Sequence, residues 1–260
     1  MCFLRRVAEQ SCEAMDFDRV AEKALIAADC MRHPSYLLKK WRGAGLAMFR
    51  RLNRPWLREL DIRTVLDVGA NVGQFSLVIH EIFPAARIYA FEPLPECYET
   101  LCRRMSGVQT FRAFNCALGR VRGRVEFFRS AFSQASSALP MRPLHVEAFP
   151  YTKETEHITV NMMRLDDLAE ELVIEGPMLC KLDVQGYEEG VIRGGGRLIG
   201  QAKVVIVEVS YRQLYESQPL FHEVYSLMVS LGFGYQGNLD EFRNPTDKSV
   251  LQTDAVFIKG

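Results

Sequence analysis

Apolar residues recur along this chain in two textures. Over the first sixty residues, stretches such as "RVAEKALIAADCMR" and "YLLKKWRGAGLAMFRRLNRPWLREL" set apolar side chains at roughly helical spacing among basic ones. They predict a helical N-terminal extension over residues 1–60. From Thr64 the texture changes to short apolar runs, "TVLDV", "RIYAF", "TFRAFN", "MLCKLDV", "KVVIVEV", "FGYQG" and "DAVFIKG". Runs that are apolar at successive positions suit strands buried on both faces, hence a mostly parallel sheet with helices on both sides.

Helices are predicted between these strands, from Val72 to Phe83, Pro95 to Met105, Tyr187 to Arg193 and Pro219 to Leu231. The last has Leu220, Val224, Met228 and Leu231 on one face and Gly232 as its stop. Between the third and fourth strands, "GRVEFFRS" and "HITVNMM" read as extra strands around a polar loop from Ala131 to Glu156. A loop of that length within a compact domain marks a lid or insert, here residues 131–160 of a domain spanning 61–260.

Bulk composition narrows the class. The 260 residues fit one large domain with an extension, since single cores stop growing near ~250–300 residues. Apolar residues make up 48% and charged residues 25%, far from the signature of disorder. Lys and Arg (32) balance Asp and Glu (32), which disfavours a dedicated nucleic-acid binder. Seven cysteines without a Cys-x-x-Cys pair suggest neither a disulfide framework nor a zinc site, but reduced, mostly buried thiols. No apolar run approaches a membrane span and the N-terminus has no signal-peptide core, so the expected location is the cytoplasm.

The stretch "TVLDVGANVGQF" carries the first chemistry. In an open parallel sheet, ligands bind beyond the carboxyl ends of the strands, where the first strand meets the first helix. Gly69 and Gly73 allow a tight turn and close approach of the backbone to a ligand. Their spacing is not the Gly-x-Gly-x-x-Gly of a dinucleotide site, and Asp67 stands at the loop entrance. A carboxylate there repels a pyrophosphate and attracts the amino end of S-adenosylmethionine. Glu92 closes the next strand, where a carboxylate meets ribose hydroxyls in the analogous dinucleotide fold.

The segments "VLDVGANVGQFSLVI", "AFEPLPECYETL", "NCALG", "LDDL", "CKLDVQGYEEGVIRGG" and "VIVEVSYRQLYESQPLFHEVYSLMVSLGF", in this order, resemble the FkbM family of S-adenosylmethionine-dependent methyltransferases. The resemblance runs from about Thr64 to Gly260 and leaves the first sixty residues uncovered. It implies an α/β, Rossmann-like, seven-stranded, mostly parallel methyltransferase sheet with a reversed last hairpin. It maps Asp67, Gly69, Asn71 and Gly73 to the cofactor loop, Glu92 to the ribose contact, and Asn115 and Ala117 to the adenine region. Ser136 and Ser137 match a Ser-rich segment lining the site. Gln185 stands where the family often has Glu, so it is not assigned the role of base.

A hydroxyl is a weak nucleophile that needs a base or a metal. Asp183, at the end of the fourth strand, is the first candidate base and a candidate cofactor contact. Lys181, two positions earlier on the same face, is placed to orient it electrostatically. Asp183 and Glu208 together could hold Mg²⁺, although hydrogen bonding without a metal is the favoured reading of the pair. Glu188 reads as a helix cap. His145 and His157 flank the insert as secondary base candidates, while His33, His80 and His222 show no metal spacing. Tyr211, Tyr215 and Phe221 read as packing near an acceptor pocket.

Together these residues predict an S-adenosylmethionine-dependent O-methyltransferase acting on a small-molecule or glycan acceptor: a sugar, a glycolipid or a polyketide-like product. The reading includes no nucleic-acid partner and no transmembrane segment, and it leaves a homo-oligomer open. The alternatives are an NAD-dependent oxidoreductase and a non-catalytic binding module on the same fold.

Overall fold

The computed structural model describes residues 45–260. The helices expected before residue 45, with Cys2, Cys12, Cys30 and His33, lie outside the described residues. From there the extension consists of two short helices, α1 (Leu46–Leu52) and α2 (Pro55–Arg58). The strands that follow are β1 (Thr64–Val68), β2 (Arg87–Phe91), β3 (Phe111–Phe114), β4 (Ala117–Leu118), β5 (Gly123–Ser130), β6 (Thr155–Met163), β7 (Met178–Leu182), β8 (Val204–Ser210), β9 (Phe233–Arg243) and β10 (Val250–Lys259). The helices among them are α3 (Gln74–Ile82), α4 (Pro95–Met105), α5 (Pro143–Ala148), α6 (Glu188–Gly194), α7 (Gly196–Ile199) and α8 (Phe221–Ser230).

Seven strands form one sheet in the order β3-β2-β1-β7-β8-β10-β9. The first five are parallel, and β10 lies antiparallel between β8 and β9, so the last hairpin is reversed. A second sheet, β4-β6-β5, is built from the insert's flanks. This is the α/β, Rossmann-like architecture that the alternation of runs and helices implies.

Strand alternation divides the buried residues between two faces. Val65, Leu179, Val204 and Ile206 pack with Phe49 and Leu52 of α1, Phe75, Val78 and Ile79 of α3, and Leu101 and Met105 of α4. On the other face Leu66, Cys180, Leu182, Val205 and Val207 pack with Val191 and Ile192 of α6, Leu198 of α7, and Val224 and Met228 of α8. Chain order reverses at β1, which has β2 on one side and β7 on the other. The crevice past the carboxyl ends of these strands is where such folds bind ligands.

Several elements differ from the sequence expectation; β10 begins at Val250, four residues before Asp254, and α8 at Phe221 instead of Pro219. Helix α3 starts at Gln74, two residues later than expected, because Asn71 (φ 47) and Gly73 (φ 86) are left-handed and belong to the loop. The loop from Ala131 to Glu156 contains α5 and two single 3₁₀ turns, Ser133–Ala135 and Pro150–Thr152, each too short to show a periodicity. Strand β9 runs six residues beyond "FGYQG" through "NLDEFR", an exposed edge whose polar composition hides it.

Candidate active site

The loop after β1 is organised around Glu92. This carboxylate, 4% exposed at the end of β2, accepts the Asn71 N–H at 2.8 Å on Oε2 and the Leu94 N–H at 2.9 Å on Oε1. Burial pushes it up to about 7 against the pull of both backbone donors. Asn71 spends its own side chain locally: Oδ1 accepts the Val72 N–H at 2.9 Å and Nδ2 donates to Ser133 Oγ at 3.1 Å. The second contact ties the loop to the insert. Gly69 (φ 79) is needed for packing, since a Cβ there would lie 1.8 Å from the Asp183 carbonyl oxygen.

A second polar cluster lies across the crevice, on the sheet face that α1 and α3 cover. Asp67 and Lys181 are partners in the β1–β7 register, and Asp254 and Glu208 are partners in the β10–β8 register. Lys181 Nζ donates to Asp183 Oδ2 at 2.8 Å and lies 5.4 Å from the centre of the Phe75 ring. Burial alone would pull its ammonium down, but Asp183, Asp67 and Asp254 raise it above the ordinary lysine value. It is a cation held charged by three carboxylates.

Burial, then Asp183 and Glu188, push Glu208 well above the usual carboxylate range, and burial and Asp183 push Asp254 up to about 6. Gln185 Nε2 donates to both Asp183 Oδ1 and Glu208 Oε2 at 2.9 Å, and Gln252 Nε2 adds a second donor to Glu208 Oε2 at 3.0 Å.

One cavity of about 520 Å³ joins the two clusters. Its wall holds Gly69, Asn71 and Glu92 with apolar Phe91, Leu94, Ala117 and Met162, together with Lys181, Asp183, Gln185, Glu208 and Asp254. The insert contributes Ser133, Ser136 and His145 to the same wall. The volume lies within the ~300–1,000 Å³ usual for small-molecule sites, and a few convergent polar groups in a largely apolar lining are their usual chemistry.

Residues 67–235 match the sequence profile described as the methyltransferase FkbM domain. The chain belongs to this family. It is 27% identical over 172 residues to the 2-O-methyltransferase NoeI of Sinorhizobium fredii, an alignment spanning 64% of this chain and 71% of NoeI. It is 31% identical over 162 residues to the 31-O-demethyl-FK506 methyltransferase FkbM of Streptomyces tacrolimicus, spanning 53% of this chain and 60% of that one. Among solved structures, the methyltransferase FkbM of Methylobacillus flagellatus superposes with a TM-score of 0.47 at 16% identity, over 76% of this chain and 44% of that one. Family membership makes the protein a methyltransferase and sets aside the NAD-dependent oxidoreductase alternative.

Within this FkbM domain the expected site residues take different places. Gly69, Asn71, Glu92, Ala117, Lys181, Asp183 and Glu208 line the cavity, whereas Asp67, Gly73 and Asn115 do not. Asp67 is fully buried behind the loop, with Oδ2 taking the Ser76 hydroxyl at 2.6 Å and Oδ1 without a partner. Asn115 turns its amide to the carbonyls of Glu92 and Pro93, at 2.9 and 3.1 Å, and braces the end of β2.

A cation between Asp183 and Glu208 does not fit this donor set. Lys181 and Gln185 already occupy both oxygens of Asp183, and among the described residues no group of three or more His, Cys, Asp or Glu is placed to hold a metal. Glu188 caps the turn before α6, accepting the N–H groups of Val184 and Gly186 at 2.9 and 3.1 Å. His157 pairs with Glu126 on the second sheet, outside the cavity wall. Tyr211 packs against Phe221, whose ring also meets Tyr225 and Tyr235, and neither residue lines the cavity. The sequence reading missed Gln252 and Asp254, because it begins the last strand only at Asp254 and takes that residue for its first.

Proposed function

We propose that the protein is an S-adenosylmethionine-dependent O-methyltransferase, with Asp183 as general base and a hydroxyl of a small or conjugated metabolite as acceptor. The observation that carries this reading is one cavity lined both by Glu92 and by the Lys181–Asp183–Glu208 cluster. Glu92 suits the donor and the cluster suits a proton acceptor, and the two share that space.

The residues present fit the cofactor. Glu92 keeps lone pairs free beyond its two backbone donors, and a buried carboxylate pushed upward by burial gains from ribose hydroxyls. Phe91, Leu94, Ala117 and Met162 form an apolar wall beside it for a flat base. Asp67 supplies negative charge from behind the loop, with one buried oxygen unpaired. When bound, S-adenosylmethionine supplies an activated methyl group and a good leaving group.

The chain's own work is then alignment, dry surroundings and a proton acceptor. Lys181 holds Asp183 through a 2.8 Å contact, and Asp183 lines the cavity, where an oxygen that accepts one donor still has a lone pair for the acceptor's proton. Burial, with Asp183 and Glu188, raises Glu208 well above the ordinary carboxylate value. The relatives' names point the same way, since NoeI is a 2-O-methyltransferase and the Streptomyces FkbM acts on 31-O-demethyl-FK506.

The test incubates the full chain with S-adenosylmethionine labelled in its methyl group and a metabolite extract, then isolates the labelled product. Label in an alkali-stable ether supports the reading. Label on nitrogen, or methanol released by alkali from an ester, overturns it.

A further inference from the structure

The backbone at position 185 is one that glycine takes most easily. Gln185 has φ 54 and Gly186 follows at φ 97, and a left-handed conformation costs a residue with a Cβ about 1 kcal/mol or more. The side chain retained there is engaged at both polar atoms. Nε2 donates to Asp183 Oδ1 and Glu208 Oε2, both at 2.9 Å, and Oε1 accepts the Tyr215 hydroxyl at 3.0 Å. The Gln185 carbonyl accepts the Ser137 hydroxyl at 2.7 Å, which joins the turn to the insert.

Asp183 and Glu208 on Nε2 and the Tyr215 hydroxyl on Oε1 together set which way the amide points, and that hydroxyl also lies 3.2 Å from the Ala135 carbonyl. Tyr215 is fully buried and its ring packs against that of His145, with centroids 5.1 Å apart. With its hydroxyl donating to Oε1, the two N–H groups face the two carboxylates. A reversed amide would set its oxygen against two carboxylate oxygens, which is repulsive. Asp183 lies just past the end of β7, its N–H bonded to the Val68 carbonyl at 3.1 Å, and among the described residues its side chain has only Lys181 and Gln185 as hydrogen-bond partners. One amide thus fixes one oxygen of Asp183 and bridges it to Glu208 on the neighbouring strand.

We propose that Gln185 is a positioning residue for methyl transfer: through an amide bonded to Tyr215, it holds the Asp183 carboxylate in its working orientation and keeps Glu208 hydrogen-bonded beside it. The inference rests on the reading of Asp183 as base.

Two variants of the full chain test it, with a third in reserve. Gln185→Met keeps the reach of the side chain and removes the amide. Gln185→Glu keeps the acceptor for Tyr215 and replaces the shared donor with a carboxylate oxygen. Methyl transfer from labelled S-adenosylmethionine into the extract's acceptor should fall roughly 10- to 100-fold, as expected for losing a hydrogen bond to a charged group. The affinity for S-adenosylhomocysteine, measured by calorimetry, should stay at the wild-type value. A crystal structure of Gln185→Met should show the Asp183 carboxylate turned from its present orientation.

A residue serving stability alone would lower the melting temperature and leave the rate per folded molecule unchanged. An unmoved Asp183 or an unchanged transfer rate overturns the proposal. Should both Gln185 variants fail to fold, Tyr215→Phe, which removes only the hydroxyl, must still lower transfer while S-adenosylhomocysteine affinity stays at the wild-type value. If the wild-type protein labels no component of any extract while Asp183 does turn, the positioning role stands and the reading of hydroxyl methylation is what fails.

Discussion

Asp67 and Lys181 face each other in register on adjacent parallel strands, and Asp67 Oδ1 is buried there with no hydrogen-bond partner. Lys181, 7% exposed, is the cation that the fold supplies to Asp67, Asp183 and Asp254 together. Removing one member of a buried pair strands the remaining charge, which typically costs 3–5 kcal/mol. Lys181→Met should lose about that much stability in urea denaturation at neutral pH. The loss should shrink in acid, as the carboxylates take up protons. A variant as stable as wild type at pH 7 would show that the lysine is not the counter-ion of the cluster.

Stability should also depend on pH through Glu92 and Glu188, both pushed by burial from an ordinary value of 4.5 up to about 7. A carboxyl raised in the folded state binds its proton more tightly there, so its contribution is fully present below the unfolded value and is lost as pH rises through the folded one. Unfolding free energy should therefore decline between about pH 4.5 and 7. Glu92→Gln should make that decline shallower. It should also weaken S-adenosylhomocysteine binding by roughly 1.5–3 kcal/mol, the usual value of hydrogen bonds to a charged group. An unaltered pH slope would mean that Glu92 is ionised throughout.

Gly69 and Gly73 are both left-handed, but they should not be equally sensitive. A Cβ on Gly73 meets the Leu101 Cδ1 atom at 2.7 Å, the end of a side chain that can move, whereas a Cβ on Gly69 meets the Asp183 carbonyl oxygen at 1.8 Å. Gly73→Ala should cost about 1–2 kcal/mol for its backbone alone. Gly69→Ala must also separate the first loop from the turn after β7, for roughly 3 kcal/mol or more. Melting temperatures of the two variants measure the difference, and equal shifts would argue against the close approach of the two loops.

Much of this was legible in the sequence, for identifiable reasons. Pro95 and the apolar stripe behind it mark α4 to the residue, and the runs in β1, β2 and β7 announce strands buried on both faces. Lys181 and Asp183 share a face by strand alternation alone, and they do pair. What was illegible comes from long-range placement. Gln252 and Asp254 reach the site from β10, which enters the sheet antiparallel after an edge strand whose second half is too polar to recognise. His145 reaches it from a helix of six residues. Asn115 stands in the expected stretch but turns toward the backbone of Glu92 and Pro93, a direction that spacing does not encode.

Asp183 itself offers the sharpest separation of binding from chemistry. Its carboxylate is held by Lys181 and Gln185, and it lines the cavity with Glu208 and Asp254 on neighbouring elements. Asp183→Asn keeps the shape and loses the proton acceptor, while Lys181 loses its nearest anion but retains Asp67 and Asp254. General-base catalysis typically contributes 10²- to 10⁴-fold, so transfer of label should fall by about that factor. Affinity for S-adenosylhomocysteine should change far less, because the substitution leaves Glu92 and its contacts with Asn71 and Leu94 intact. Equal losses in both measurements would make Asp183 a binding residue, and full activity would remove it from the chemistry. A variant slow in transfer but normal in binding would leave Asp183 as the group that accepts the proton.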